Sequence, residues 1–209
     1  MRYVPHEYQE YAKEFIISHK VSALFLDCGL GKTVITLTAI WELLFDYFDI
    51  RKILIIGPLR VSRDTWPAEL EKWDHLSGVG MSVALGSEKE RLSALVRKAQ
   101  VYVINRENVE WLVNESGLPF DFDMVVIDEL SSFKSHKAKR FKALKKVRPM
   151  VRRIVGLTGT PAPNGLIDLW AEIGILDMGQ RLGRFIGGYR ERFFVPDKRS
   201  REMVFSYKP

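Results

Sequence analysis

Three short stretches of this chain hold residue types suited to phosphate and divalent-metal chemistry. The first is Leu26-Asp27-Cys28-Gly29-Leu30-Gly31-Lys32-Thr33. An apolar run, residues 22–26, precedes it and reads as a buried strand; an apolar-periodic segment, residues 34–48, follows and reads as a helix. Strand, glycine-rich turn and Gly-Lys-Thr at a helix start build a P-loop. Backbone N–H groups and the positive helix end face phosphate, the lysine reaches the β- and γ-phosphates, and the hydroxyl ligates Mg²⁺. Position 26 departs from the G-x-x-x-x-G-K-[ST] pattern, with leucine where glycine is expected. Taken alone, the stretch competes with a plainer reading, a helix start that happens to be rich in glycine.

The second stretch is Val125-Val126-Ile127-Asp128-Glu129. An apolar strand that delivers adjacent acids to its carboxyl end suits Mg²⁺-nucleotide chemistry. The first acid holds the metal and the next polarises an attacking water. Acid pairs after strands are common. Coupled to a P-loop, however, the two supply both halves of one metal site, in order, on separate strands. The third stretch, Leu157-Thr158-Gly159-Thr160-Pro161-Ala162-Pro163-Asn164, sets two threonines on a tight turn at a strand end. Their hydroxyls suit bonds to the acid pair and to a mobile partner, although turn-forming composition alone also gives such a loop. Upstream, Gln9 has the donor–acceptor pair that reads adenine. A surface glutamine on an amphipathic helix is the plainer account of it.

These groups need a scaffold that brings them to one edge. Strand patterns at residues 22–26, 52–58, 81–85, 101–105, 124–128 and 153–157 alternate with helical patterns, and most strand runs are continuously apolar. That is the signature of a doubly wound, mostly parallel α/β sheet with helices on both faces. Ligands of such sheets bind beyond the carboxyl ends of the strands. The P-loop, Gly57-Pro58, Asp128-Glu129 and Thr158 to Pro161 then fall along one rim. Asp64 or Thr65 is expected to cap the helix carrying Trp66, Leu70 and Trp73, with both tryptophans as core packing. Ser87-Glu88-Lys89-Glu90 reads as a capping box opening a helix through residue 99.

Composition narrows the setting. Of 209 residues, 46% are hydrophobic and 28% charged, enough to bury a real core. No window approaches 18 uninterrupted apolar residues and the N-terminus lacks an apolar signal core, so neither export nor membrane insertion is indicated. The single cysteine, Cys28, rules out an internal disulfide framework and fits a reducing cytoplasm. A net charge of +6 favours a polyanionic partner. Ten lysines and arginines and no acids lie between Lys134 and Arg153. Phe141, Leu144 and Val147 form one helical stripe among them, so a solvated helix face and a DNA-contacting face are equally good readings.

Gln9, Gly29-Leu30-Gly31-Lys32-Thr33, Gly57-Pro58, Asp128-Glu129 and Leu157-Thr158-Gly159-Thr160-Pro161 with Asn164 together resemble the ordered motifs of superfamily-two helicase-type ATPases, most of all the Swi/Snf-like branch. Pro58…Val61…Trp66…Glu69…Lys72-Trp73 resembles that branch's second motif region, and residues 86–91 and 105–107 are also similar to it. The likeness covers about residues 8–164, with a phage-like flavour through residues 165–170. It implies the first of two RecA-like lobes, ATP bound between them, and duplex DNA running across both. By that resemblance Gln9 contacts adenine, while Cys28, Gly29, Leu30, Gly31, Lys32 and Thr33 hold phosphate. Thr33 and Asp128 hold Mg²⁺, and Glu129 activates water. Ser131, Thr158, Gly159 and Thr160 couple nucleotide to DNA, and Pro58, Arg60, Val61, Asn105 and Arg106 meet the DNA backbone.

Two positions depart from the branch. Leu130-Ser131 stands where it usually has a small residue and histidine, and Ser135 follows Lys134 where asparagine is common. The shorter Ser131 hydroxyl bears on communication with Thr158, not on nucleotide binding. The expected organisation is an ATP-binding lobe over residues 1–177. Residues 178–209 are then an irregular extension or the start of an inter-lobe insertion, too short for a second α/β lobe. If the chain is phage-encoded, the expected location is the host cytoplasm. Two other classes stay open: a P-loop small-molecule kinase, which would not need Thr158 to Asn164, and a non-catalytic nucleotide-gated DNA-binding module. An RNA helicase usually reads Ser-Ala-Thr in place of Thr-Gly-Thr-Pro.

Overall fold

In the computed structural model, which describes residues 1–199 and 204–208, six strands form one fully parallel sheet. In chain order they are β1 (Val21–Phe25), β2 (Ile53–Gly57), β3 (Met81–Ala84), β4 (Val101–Asn105), β5 (Met124–Asp128) and β6 (Arg153–Thr158). Their spatial order is β1-β6-β5-β2-β4-β3. Strands β2 and β4 are buried at every residue, as the unbroken apolar runs require of strands covered on both faces. Along β2, Ile53 and Ile55 enter one core and Leu54 and Ile56 the other.

The helices divide between the two faces. One core contains α1 (Glu7–Ser18), α2 (Lys32–Phe45) and Trp66 of α3 (Trp66–Lys72). The other contains α4 (Glu88–Val96), α5 (Val109–Asn114), α6 (Lys139–Val147) and α7 (Leu169–Asp177). This is the RecA-like arrangement expected from the sequence. The capping box forms as read: Ser87 Oγ accepts from the Glu90 amide, and the Glu90 carboxylate accepts from the Ser87 amide.

Several boundaries differ from the sequence reading. Helix α2 stops at Phe45, because Tyr47, Asp49 and Ile50 turn their amides back onto the Glu42 and Leu43 carbonyls. Buried Ile50 then anchors the descent into β2. Helix α4 ends at Val96 rather than 99. Neither Asp64 nor Thr65 caps α3, since the helix begins upstream at Leu59 and passes through a π-helical turn, Val61–Thr65. Beyond α7 the chain continues through α8 (Ile186–Phe193) and an antiparallel pair, β7 (Val195–Arg199) and β8 (Val204–Lys208). Tyr189 and Phe194 join the second core, and the Tyr189 hydroxyl donates to the Leu166 carbonyl at 2.8 Å. None of the described helices is long and apolar enough to cross a membrane.

Candidate nucleotide site

Because neighbouring parallel strands end together, the strand order fixes the order of groups on the rim. It runs P-loop, Thr158, Asp128, Gly57, Asn105. A cleft of about 720 Å³ opens over this edge, lined by Gln9, Cys28, Gly29, Gly31, Lys32, Thr33, Pro58, Asp128 and Glu129 among others.

The P-loop is shaped by glycine. Gly31 takes φ 79° at the start of α2, a left-handed conformation that side chains disfavour. A Cβ there would also lie 2.6 Å from Gln9 Nε2. Lys32 Nζ donates to the Leu26 and Asp27 carbonyls at 2.7 and 3.0 Å, so its ammonium bridges the loop from inside. Leu26, the departure from the motif, donates its amide to the Thr158 carbonyl and so ties the loop to β6. The junction is tight: a Cβ on Gly159 would stand 3.3–3.4 Å from Leu26 O and from Cys28 N and Sγ. Cys28 itself is exposed.

Gln9 is only 8% exposed. Its Oε1 accepts from the His6 amide at 3.0 Å and its Nε2 donates to the Leu30 carbonyl at 3.3 Å, with the Tyr8 hydroxyl donating to the same carbonyl. The amide thus closes the N-terminus of α1 and fastens it to the P-loop.

At the end of β5, Asp128 Oδ2 accepts from Trp66 Nε1 at 2.9 Å. Burial pushes the Asp128 carboxyl above the usual range; the Trp66 bond opposes that, the Glu129 charge adds to it, and Lys32 opposes it. Gly57 leaves the room: a Cβ there would stand 3.4 Å from Asp128 Cβ and 3.2 Å from Ser62 Oγ. Trp66, read from the sequence as plain core, is fully buried and its indole N–H reaches this acid. The available signal was chemical, since a buried indole needs an acceptor.

Glu129 has φ 62° and ψ 67°, a left-handed turn at a non-glycine residue. Its Oε1 accepts from Ser131 Oγ at 2.5 Å and from Thr158 Oγ1 at 2.7 Å, and Thr158 Oγ1 accepts from the Thr160 amide at 3.1 Å. The short Ser131 hydroxyl therefore meets Thr158 through the acid between them. Leu130 is accommodated by Gly156 on β6, where a Cβ would stand 2.7 Å from Leu130 Cδ2. A larger residue after the acid pair is matched by the absence of a side chain on the facing strand.

On the far rim, Arg60 is exposed while Pro58 and Val61 are half-buried. Asn105 is buried; its Nδ2 donates to Glu107 and its Oδ1 accepts from Asn108. Arg106 pairs with Glu107 at 2.9 Å. In the basic segment, Phe141, Leu144 and Val147 are buried as a stripe. Among the described residues, six of its ten cations bond within the protein. Lys139 reaches Glu110 at 3.5 Å and Lys146 reaches Asn114 Oδ1 at 3.4 Å. Arg140 reaches Ser132 O, Arg148 reaches the Leu176 and Val151 carbonyls, Arg152 reaches Asp49 and Asp123, and Arg153 reaches Asp49 and Ile16 O.

Residues 8–180 match the model of the SNF2-related domain. The chain belongs to that family. Over 198 residues this SNF2-related domain is 38% identical to putative protein p41 of Acyrthosiphon pisum secondary endosymbiont phage 1, covering 92% of this chain and 43% of that one. It is 31% identical to the mouse DNA excision repair protein ERCC-6-like, with 84% of this chain matched to 14% of the relative. A Sulfolobus solfataricus SWI2/SNF2 ATPase core in complex with dsDNA superposes with a TM-score of 0.76 at 22% identity, over 92% of this chain and 39% of that one. The SNF2-related domain thus spans less than half the length of each of these relatives.

Proposed function

We propose that this chain is the ATP-binding lobe of a double-stranded-DNA translocase that works in the cytoplasm, the host's if the chain is phage-encoded. The observation that carries the reading is the convergence of Thr158 and Ser131 on one Glu129 oxygen, beside a glycine-built phosphate cradle. Small-molecule kinases have no use for a threonine bonded to the hydrolytic acid, and a passive binding module needs no acid at that place.

The chain's own residues divide the work. The amides of the loop through Cys28, Gly29, Leu30 and Gly31, with the α2 N-terminus, receive the phosphates, and Lys32 exchanges its loop carbonyls for phosphate oxygens. Gln9 has one amide hydrogen and one lone pair left for adenine. Thr33 and Asp128 line the same cleft, and Asp128 is a buried acid raised by desolvation, so a cation beside it relieves that cost; the residues fit Mg²⁺. Such an ion, when bound, neutralises charge on the phosphates. Glu129 accepts the proton of the attacking water. Its two hydroxyl donors hold the carboxylate in place until Thr158 and Thr160 move with DNA at the rim, where Pro58, Arg60 and Val61 meet the backbone and Asn105 and Arg106 brace it.

A second RecA-like lobe, in cis or in trans, completes the site, because the charge-stabilising arginine of such motors is worth about 10³–10⁵ in turnover. Alone, the 209-residue chain is expected to bind Mg-ATP weakly and to release phosphate very slowly even with saturating duplex. Steady-state phosphate release with and without duplex DNA, before and after adding the missing lobe, tests this. Turnover near 1 s⁻¹ or above from the single chain would sink the need for a partner lobe.

A further inference from the structure

The helix that follows β2 starts at Leu59, and between Val61 and Thr65 it widens into a π turn, with the Trp66 amide donating to the Val61 carbonyl. One extra residue in a turn rotates everything after it by about 100°. A regular helix would have brought Thr65 to the azimuth that Trp66 now holds. Pro67 follows at once and has no amide to restore the regular pattern. The result is a fully buried indole whose N–H is 2.9 Å from Asp128 Oδ2, across 62 residues of sequence. The upstream end of the same helix is pinned to the sheet: Ser62, fully buried, donates through Oγ to the Ile104 carbonyl at 3.3 Å. One rigid piece thus runs from exposed Arg60 to the Asp128 carboxylate.

We infer that Trp66 is a positioning residue for the metal-holding carboxylate, and that the π turn makes it the link between the rim at Arg60 and Asp128. The inference deepens the functional reading above and rests on it. A hydrogen bond to one carboxylate oxygen fixes the rotation of the group and favours its charged form. Removing it should weaken what Asp128 does for the metal and leave untouched what the P-loop does for phosphate.

The test is fluorescent-ATP binding to the 209-residue chain, with and without Mg²⁺, using Trp66→Phe and Asp128→Asn. The quantity read is the gain in affinity that Mg²⁺ brings. Trp66→Phe keeps most of the ring volume; it should leave Mg²⁺-free affinity within about twofold and cut the Mg²⁺ gain roughly three- to tenfold. Asp128→Asn should cut that gain at least as far, and the double variant no further, as expected of two residues acting through one bond. A merely structural tryptophan would lower both affinities together, and that result, or an undiminished Mg²⁺ gain, overturns the inference. Wild-type protein that binds no nucleotide would overturn the functional reading itself. If Trp66→Phe fails to fold, the wild-type indole N–H resonance of Trp66 decides. It should move when Mg²⁺ joins bound nucleotide and stay still in Asp128→Asn, and a resonance indifferent to Mg²⁺ overturns the inference.

Discussion

The two ends of the strand rim are made of different materials. At β1 and β6 the backbone is the machinery: loop amides, the left-handed Gly31, and a junction between Leu26 and Gly159 that leaves little room for a side chain. At β2 and β4 the rim is carried by side chains in local networks, with Asn105 bonded to Glu107 and Asn108, and Trp66 reaching across to Asp128. Backbone-built sites need particular residues at particular spacings, so they tolerate little change. Side-chain-built sites can redistribute their contacts. Substitutions should therefore cost most at the first end and least at the second.

The largest effect is expected where the proposed catalytic side chain is held against the first end, at Glu129, which follows β5 and is bonded to Thr158 of β6. Glu129→Gln keeps the Thr158 and Ser131 contacts but cannot take a proton, so turnover with the proposed second lobe supplied should fall about 10²–10⁴-fold with nucleotide binding retained. Single-turnover phosphate release measures it, and a loss of only a few-fold would remove Glu129 from that role. Lys32→Ala comes next. The ammonium that bridges the loop carbonyls is lost together with the phosphate contact proposed for it, and Mg-ATP affinity should drop by roughly two orders of magnitude at unchanged circular dichroism. Equal affinity in mutant and wild type would refute the phosphate role.

What could be read in advance follows the same division. Gly31, Lys32, Asp128 and Thr158 stood out because a strand end, a tight turn and a chemical residue coincide in sequence. Trp66 did not. A π turn leaves no mark on apolar periodicity, so nothing in the spacing of residues 59–73 told which tryptophan would reach across to an acid on another strand. Trp73, seven residues on, donates instead to its own helix neighbour Glu69 at 2.7 Å. Leu130 read as an oddity because its compensation, Gly156, lies on another strand. The cations of residues 134–153 read as one surface, although Arg148 and Arg153 face inward to carbonyls and Asp49. Charge counted along a chain does not tell which charges the fold uses.

A mid-sized effect should come from behind the β6 end. Glu172 on α7 is fully buried, and among the described residues its carboxylate oxygens find no well-formed hydrogen bond, only the looser approach of the Ala162 amide. Burial first, then the charges of Asp168 and Glu129, push it up from its usual 4.5 to about 7, with the Ala162 amide and Lys134 opposing. The folded chain therefore keeps a proton that the unfolded chain has released above about pH 4.5. Stability on this account falls as pH rises from about 4.5 through about 7, by roughly 1–3 kcal/mol once solvent screening is allowed for. Glu172→Gln should remove that decline, raising Tm at pH 8 while leaving it little changed at pH 5. A Tm difference independent of pH would mean that Glu172 does not titrate there.

The smallest effect separates two arginines on the far rim. Duplex binding by this lobe should be sequence-tolerant, and neutralising about three to five phosphates gives a log–log salt slope near −3 to −5. Arg60 and Arg106 have equal claims by sequence, but the structure treats them differently. Arg106 spends its Nε–H on Glu107 at 2.9 Å, so a phosphate must compete with a carboxylate already in place. Arg60 is exposed, and its acidic neighbour Asp64 is engaged with Arg63 at 2.8 Å. Arg60→Ala should therefore reduce the magnitude of the slope by about one unit, with affinity falling on every duplex alike. Arg106→Ala should move it by less than half as much, because its charge is largely cancelled before DNA arrives. Filter-binding isotherms from 50 to 200 mM salt resolve the two. Equal slopes in both variants would show that the Arg106–Glu107 pair opens on DNA, and Arg106 would then neutralise a phosphate as fully as Arg60 does.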